Sequence, residues 1–173
     1  MRNLLSLFSL SIAIVFLLVQ SACRPSSTSF EELSEEEANN VRVYPDVDER
    51  LWPHFKAFEE EAAARNWQID LTESNISATI EEHGAGQCSI RNRFSRHITV
   101  DLEFWSRSNH LFKEFIIFHE LGHCFLGRGL REDAFSSGAC KSIMRSGVED
   151  CRDNYNNRTR STYIDELFNP DAV

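Results

Sequence analysis

Residues 115–123 read Phe115-Ile116-Ile117-Phe118-His119-Glu120-Leu121-Gly122-His123, and the rest of the chain is organised around them. The stretch holds His-Glu-x-x-His inside an apolar run of helical period. Histidines four residues apart share one face of a helix, about one turn from each other. Both imidazoles can then reach one tetrahedral Zn²⁺. Glu120 adjoins the first of them, where a carboxylate can take a proton from a water activated by the metal. The bland alternative is a buried helix with two satisfied core histidines and a solvated glutamate. The apolar helical context is the one that the zinc motif requires, so the metal reading is preferred.

Upstream, Arg2 is the only charge before Arg24, and Leu4 to Val19 is apolar except for three serines. Ser21-Ala22 then precede Cys23. A basic start, an apolar core and small residues at the end make a secretory signal over 1–22. The apolar core is short for a membrane span, which needs about 20 residues. Cleavage before Cys23 would leave 151 residues, enough for one compact domain. With 17 basic against 27 acidic residues, the exported chain carries a net charge of −10. That balance argues against nucleic acid as a partner.

Residues 23–47 are rich in Ser, Glu and Asn, with the acidic run Glu35-Glu36-Glu37, and read as a flexible tether. The domain proper is expected over 48–173. Leu51, Phe55, Phe58 and Ala62 place a helix within Asp48 to Asn66, with Pro53 in its first turn and Glu59-Glu60-Glu61 facing water. His54 reads as a surface residue. Ile69-Asp70-Leu71, Ile76 to Ile80 and Ile98 to Leu102 read as strands. Arg91, Arg93 and Arg96 form a local basic cluster, read as a solvated strand edge.

The His119–His123 helix is expected to start near Ser106 or Ser108 and to end at Gly127 or Gly129. Apolar residues on more than one side give it a central place. A loop follows, then Ser142-Ile143-Met144, then a closing helix within Asn156 to Phe168. The expected fold is α+β: a small mixed sheet, a central helix and a C-terminal helix.

His119-Glu120-Leu121-Gly122-His123 followed by Ser142-Ile143-Met144 resembles the metzincin clan of zinc peptidases. In that clan a Met-containing turn passes beneath the metal. More narrowly, Phe118 to Met144 is similar to small bacterial lipoproteins of the metzincin type. Their pattern is His-Glu-Leu-Gly-His-Cys, Leu-Gly-Arg, a third His, a loop, and Ser-Ile-Met. The resemblance implies a zincin-like fold, Zn²⁺ held by His119 and His123, Glu120 as general base, and a peptide or protein substrate. Cleavage before Cys23 likewise resembles a lipoprotein signal, although Gln20 stands where that pattern has Leu. It implies export to the bacterial periplasm or outer membrane with a lipid on Cys23, ordinary secretion being the alternative; the chain is expected to be a monomer.

The chain departs from the pattern at one place: the third His would fall at position 130, and the residue is Leu130. A catalytic zinc site ordinarily has three protein ligands and one open position. Asp133, in the right loop, is the preferred third ligand, and Glu132 is second. Glu149 with Asp153, Cys140, and the upstream His83, His97 and His110 are further alternatives. Leu130 also allows a lapsed site, leaving an envelope binding lipoprotein on a retained scaffold. A zinc hydrolase acting on another bond is a second enzymatic alternative. Tyr155 and Tyr163 are candidate oxyanion donors, with packing rings as the bland reading.

Setting Cys23 aside, four cysteines remain, which allow three disulfide pairings in an oxidising compartment. Cys88–Cys124, joining sheet to central helix, and Cys140–Cys151, closing the segment around Met144, are favoured.

Overall fold

The computed structural model describes residues 42–82, 86–92, 95–147 and 151–172. The signal segment 1–22, the lipidation site Cys23, most of the tether, and the candidates His83 and Glu149 lie outside them. Arg93 lies outside as well, as does the side chain of Arg91.

Residues 42–47, expected in the tether, belong to the domain instead. Tyr44 and Val47 are buried. The Tyr44 hydroxyl donates to Glu59 at 2.7 Å, and Val47 makes a parallel bridge to Ala78. Two apolar side chains with core to fill outweigh a polar composition further upstream.

Helix α1 (Trp52–Ala63) carries Pro53 at its start and buries Phe55, Phe58 and Ala62, as the period predicts. His54 is buried too, against expectation. It packs edge-on against Trp105 and tilted over His110. Nor do all three glutamates face water. Glu59 accepts from the Leu71 amide at 2.6 Å, and Glu61 pairs with Arg65 and Arg160. The segment expected as a strand at 69–71 runs into a 3-10 turn over Leu71–Glu73, because the Asp70 side chain accepts from the Thr72 amide and closes it.

The sheet has three strands: β1 (Ile76–Glu81), β2 (Gln87–Asn92) and β3 (Ser95–Asp101). Their order is β1-β3-β2, with β1 parallel and β2 antiparallel to β3. Ile98 and Val100 turn inward from β3. Leu102 leaves the strand, because Asp101 caps the Phe104 amide at 2.7 Å and starts a short helix, α2 (Leu102–Arg107).

Helix α3 (His110–Cys124) carries the motif. Asn109, not Ser106 or Ser108, caps it, with Oδ1 accepting from the Phe112 amide at 2.9 Å. Phe115 to Gly122 are all buried, so the helix has no solvent face over two turns. It packs on β2 and β3 and against α1, where Phe58 and Phe118 meet edge to face. It ends at Cys124, before the two glycines, and Gly127 then turns the chain with φ +66°. The closing helix α4 (Arg160–Phe168) buries Tyr163, Ile164, Leu167 and Phe168. Its Arg160 grips buried Glu114 of α3 with two bonds of 2.7 and 2.9 Å. These make four α-helices among the described residues, and the class is α+β.

Both favoured disulfides are present. Cys88–Cys124 ties β2 to the end of α3, and Cys140–Cys151 closes the segment that contains Met144. They suit an oxidising compartment. Among the described residues, no helix is long and apolar enough to cross a membrane.

Candidate metal centre

His119 and His123 project from the last turns of α3 with their Nε2 atoms 3.1 Å apart. Each ring is fixed from behind by a backbone carbonyl. His119 Nδ1 lies 2.5 Å from the Ile143 oxygen, and His123 Nδ1 lies 2.7 Å from the Arg128 oxygen. A carbonyl only accepts, so both Nδ1 atoms carry the proton. In neutral rings both Nε2 atoms then present bare lone pairs to each other. Burial holds His119 below the ordinary histidine range, which favours its neutral form. Two lone pairs facing each other at this distance require a cation, or a proton on one ring, between them. The donor set therefore fits a divalent ion that takes imidazole nitrogen, with the outer-shell carbonyls such sites use.

Glu120 is buried beside the pair. Burial pushes its carboxyl up to about 7, and the Cys88 amide, donating to it, draws it partly back. The chain at Gly86 passes over this carboxylate so closely that a Cβ there would lie 3.1 Å from Oε1. The Cys88–Cys124 bridge holds that strand in place. Beneath α3, Met144 packs against Gly122, the residue just before His123.

His119, Glu120 and His123 open into a cleft of about 620 Å³. Ile90 and Leu130 line it as well, and both are more than half exposed. Leu130 thus stands in the wall of the cleft that the histidines enter.

The other candidates lie elsewhere. Asp133 is exposed and its carboxylate bonds Arg131 Nε at 2.9 Å. Glu132 accepts from the Ser146 amide at 3.1 Å. Cys140 is excluded as a thiolate ligand by its disulfide. Asp153 is exposed on a 3-10 turn. His97 bonds Ser77 and Thr79 on the sheet. His110 begins α3, ~13 Å along the axis from His119 at 1.5 Å per residue. Tyr155 donates to Glu114 and Tyr163 to the Cys140 carbonyl, each at 2.6 Å, so both hydroxyls are committed inside the core. Arg96 sits over the Phe125 ring. Among the described residues, no three His, Cys, Asp or Glu side chains gather closely enough to hold one ion.

Two contributors were not legible in the sequence. Gly86 reads there only as a chain break, and Glu166 reads as one more polar residue of an amphipathic helix. Glu166 is fully buried. It accepts from Arg128, Arg131 and Ser142 at once.

Compared with known proteins, the chain matches no family model, no curated protein and no solved structure.

Proposed function

We propose that the chain is an exported, zincin-like zinc hydrolase that cleaves peptide bonds, with His119 and His123 as metal ligands and Glu120 as general base. The observation that carries the reading is the pair of Nε2 atoms 3.1 Å apart, each ring held at Nδ1 by a backbone carbonyl, with a buried carboxyl beside them. A core histidine pair needs neither the double carbonyl clamp nor that carboxyl. Bound there, Zn²⁺ would supply Lewis acidity, polarising a carbonyl and acidifying water. The remaining work falls to the chain itself. Glu120, with its carboxyl near 7, accepts a proton from water at neutral pH and returns it to the leaving amine. The Cys88 amide aims the carboxylate, and the backbone at Gly86 shields it. The open cleft beside Ile90 and Leu130 leaves room for a chain segment. The net negative charge weighs against nucleic acid as substrate.

Two protein ligands are in place of the usual three. Asp133, the expected third, is exposed and pairs with Arg131. A second reading follows from Leu130 in the cleft wall: a lapsed site on a retained scaffold, acting as an envelope binding protein anchored through Cys23.

Metal content and peptide cleavage, measured together, separate the two readings. The hydrolase reading expects about one zinc per chain. It also expects loss of zinc in His119→Ala, and retained zinc without cleavage in Glu120→Gln. A folded wild type that takes up no zinc from excess metal ends that reading and leaves the scaffold.

A further inference from the structure

We infer that Glu166 is the positioning residue of the histidine pair, setting both imidazoles from the closing helix. For its purpose the inference rests on the metal reading above; its geometry stands independently of that reading.

Glu166 sits on α4 with no solvent exposure. One carboxylate oxygen, Oε2, accepts from the Ser142 hydroxyl. Ser142 Oγ in turn accepts from the Met144 amide at 3.0 Å, which closes the turn over 142–144. Ile143, at the centre of that turn, supplies the carbonyl that holds His119 Nδ1.

The other oxygen, Oε1, accepts from Arg128 Nη2 at 2.6 Å and from Arg131 Nη1 at 2.8 Å. Arg128 Nη1 also donates to the carbonyls of Glu166 and Leu167, at 2.9 and 2.5 Å. The Arg128 amide donates to the Gly122 carbonyl at 2.8 Å. Its own carbonyl holds His123 Nδ1. Arg131 joins the two arms, since its amide donates to the Met144 carbonyl at 2.8 Å.

Neither segment has regular secondary structure to fix it. Residues 125–131 and 142–147 lie between α3 and α4 and belong to no helix or strand. A single carboxylate holds both, each oxygen serving one ring. A buried carboxylate with two guanidinium partners is costly to assemble, and an apolar residue would give ordinary packing. Its use here is geometric. It makes the separation and tautomer of the two Nε2 donors one shared property.

The test is a comparison of the full chain with Glu166→Gln, Ser142→Ala and Glu114→Gln. Glu114 is also a buried carboxylate bonded to an arginine of α4, but it lies on the far side of His119 in sequence and holds neither carbonyl acceptor. Co²⁺ affinity, read from its visible absorption, is measured beside thermal stability. Imidazole Nδ1–H resonances are recorded on the metal-free protein.

Glu166→Gln is expected to weaken Co²⁺ binding about 10–100-fold, the usual loss when an outer-shell partner is removed. It should also lose or broaden both Nδ1–H resonances. Ser142→Ala should affect chiefly the His119 resonance, and it tests the inference even where Glu166→Gln does not fold. Glu114→Gln should lower the melting temperature and leave affinity and resonances unchanged. Unchanged resonances and affinity in folded Glu166→Gln overturn the inference. So do equal losses in Glu114→Gln, which would make the effect one of general stability. A wild type that binds no Co²⁺ but whose resonances depend on Glu166 would retain the positioning role and reject the metal.

Discussion

Met144 Sδ occupies the space that a side chain on Gly122 would need: a Cβ built there would lie 2.5 Å from the sulfur and 3.1 Å from Leu167 Cδ1. The helix can run so close to the 142–144 turn only because the residue just before His123 is glycine. That contact brings the Ile143 carbonyl within reach of His119.

Gly122→Ala is therefore expected to destabilise the domain. Helix propensity alone would favour Ala by about 1 kcal/mol. Overpacking a filled core costs about 1–3 kcal/mol, and Met144 is fully buried with nowhere to retreat. The clash should win. Urea denaturation measures it, and a stabilised Gly122→Ala would mean that the turn yields more readily than the packing implies.

Metal affinity should respond to position 130 more than to position 133. Leu130 lines the histidine cleft, whereas the Asp133 carboxylate is bonded to Arg131. Leu130→His is expected to raise zinc affinity by on the order of tenfold or more, since a direct ligand should matter at least as much as an outer-shell partner. Asp133→Ala should leave affinity within about threefold, well under that outer-shell effect. Competition against a chromogenic chelator reads both. Loss of zinc in Asp133→Ala would restore that residue as the third ligand.

Acid should weaken the fold through His54. Burial, chiefly, pushes its ring down to about 4, and the nearby His110 adds to this while Glu114 opposes it. Its Nδ1 is buried without a hydrogen bond. An unfolded histidine titrates near 6.5. The folded state thus binds fewer protons, and stability is lost as pH falls from about 6.5 towards 4. His54→Leu removes that dependence without leaving a polar group unpaired. The stability gap between pH 7 and 4.5 should shrink by about 1–3 kcal/mol, as measured by denaturant unfolding at the two pH values. An unchanged gap would place the acid sensitivity in the carboxylates instead.

The two disulfides should differ in weight. Cys88–Cys124 spans 36 residues and Cys140–Cys151 spans 11. Loop entropy gives about 4 kcal/mol for the longer and about 3 for the shorter. Cys88→Ala with Cys124→Ala should also free the strand whose amide aims Glu120. That variant is expected to lose more cleavage than stability alone explains, by comparison of residual activity at matched folded fractions. Equal loss from the Cys140 and Cys151 pair would remove this special role.

The residues of the centre were legible because a helix is a local structure. Spacing alone puts His119 and His123 on one face, and an apolar run alone buries α3. For the same reason α1 and α4 fall where their period places them. Helix starts were less legible. Asp101 and Asn109 cap α2 and α3 through single side-chain bonds, and several polar residues nearby could have served.

What the sequence by itself determined was the pairing of His119 and His123 on one helix face, the α+β class and the favoured disulfide pairing. The tertiary structure decided what holds the two histidines and where the other candidates go. Asp133 goes to Arg131, Tyr155 and Tyr163 go to the core, and Glu166 takes up the two segments behind the histidines. Such choices depend on which polar groups the folded chain brings within hydrogen-bond reach. Asp133 finds its partner two residues away, but the partners of Tyr155, Tyr163 and Glu166 come from segments 23 to 41 residues away along the chain, a distance over which no periodicity in the sequence carries information.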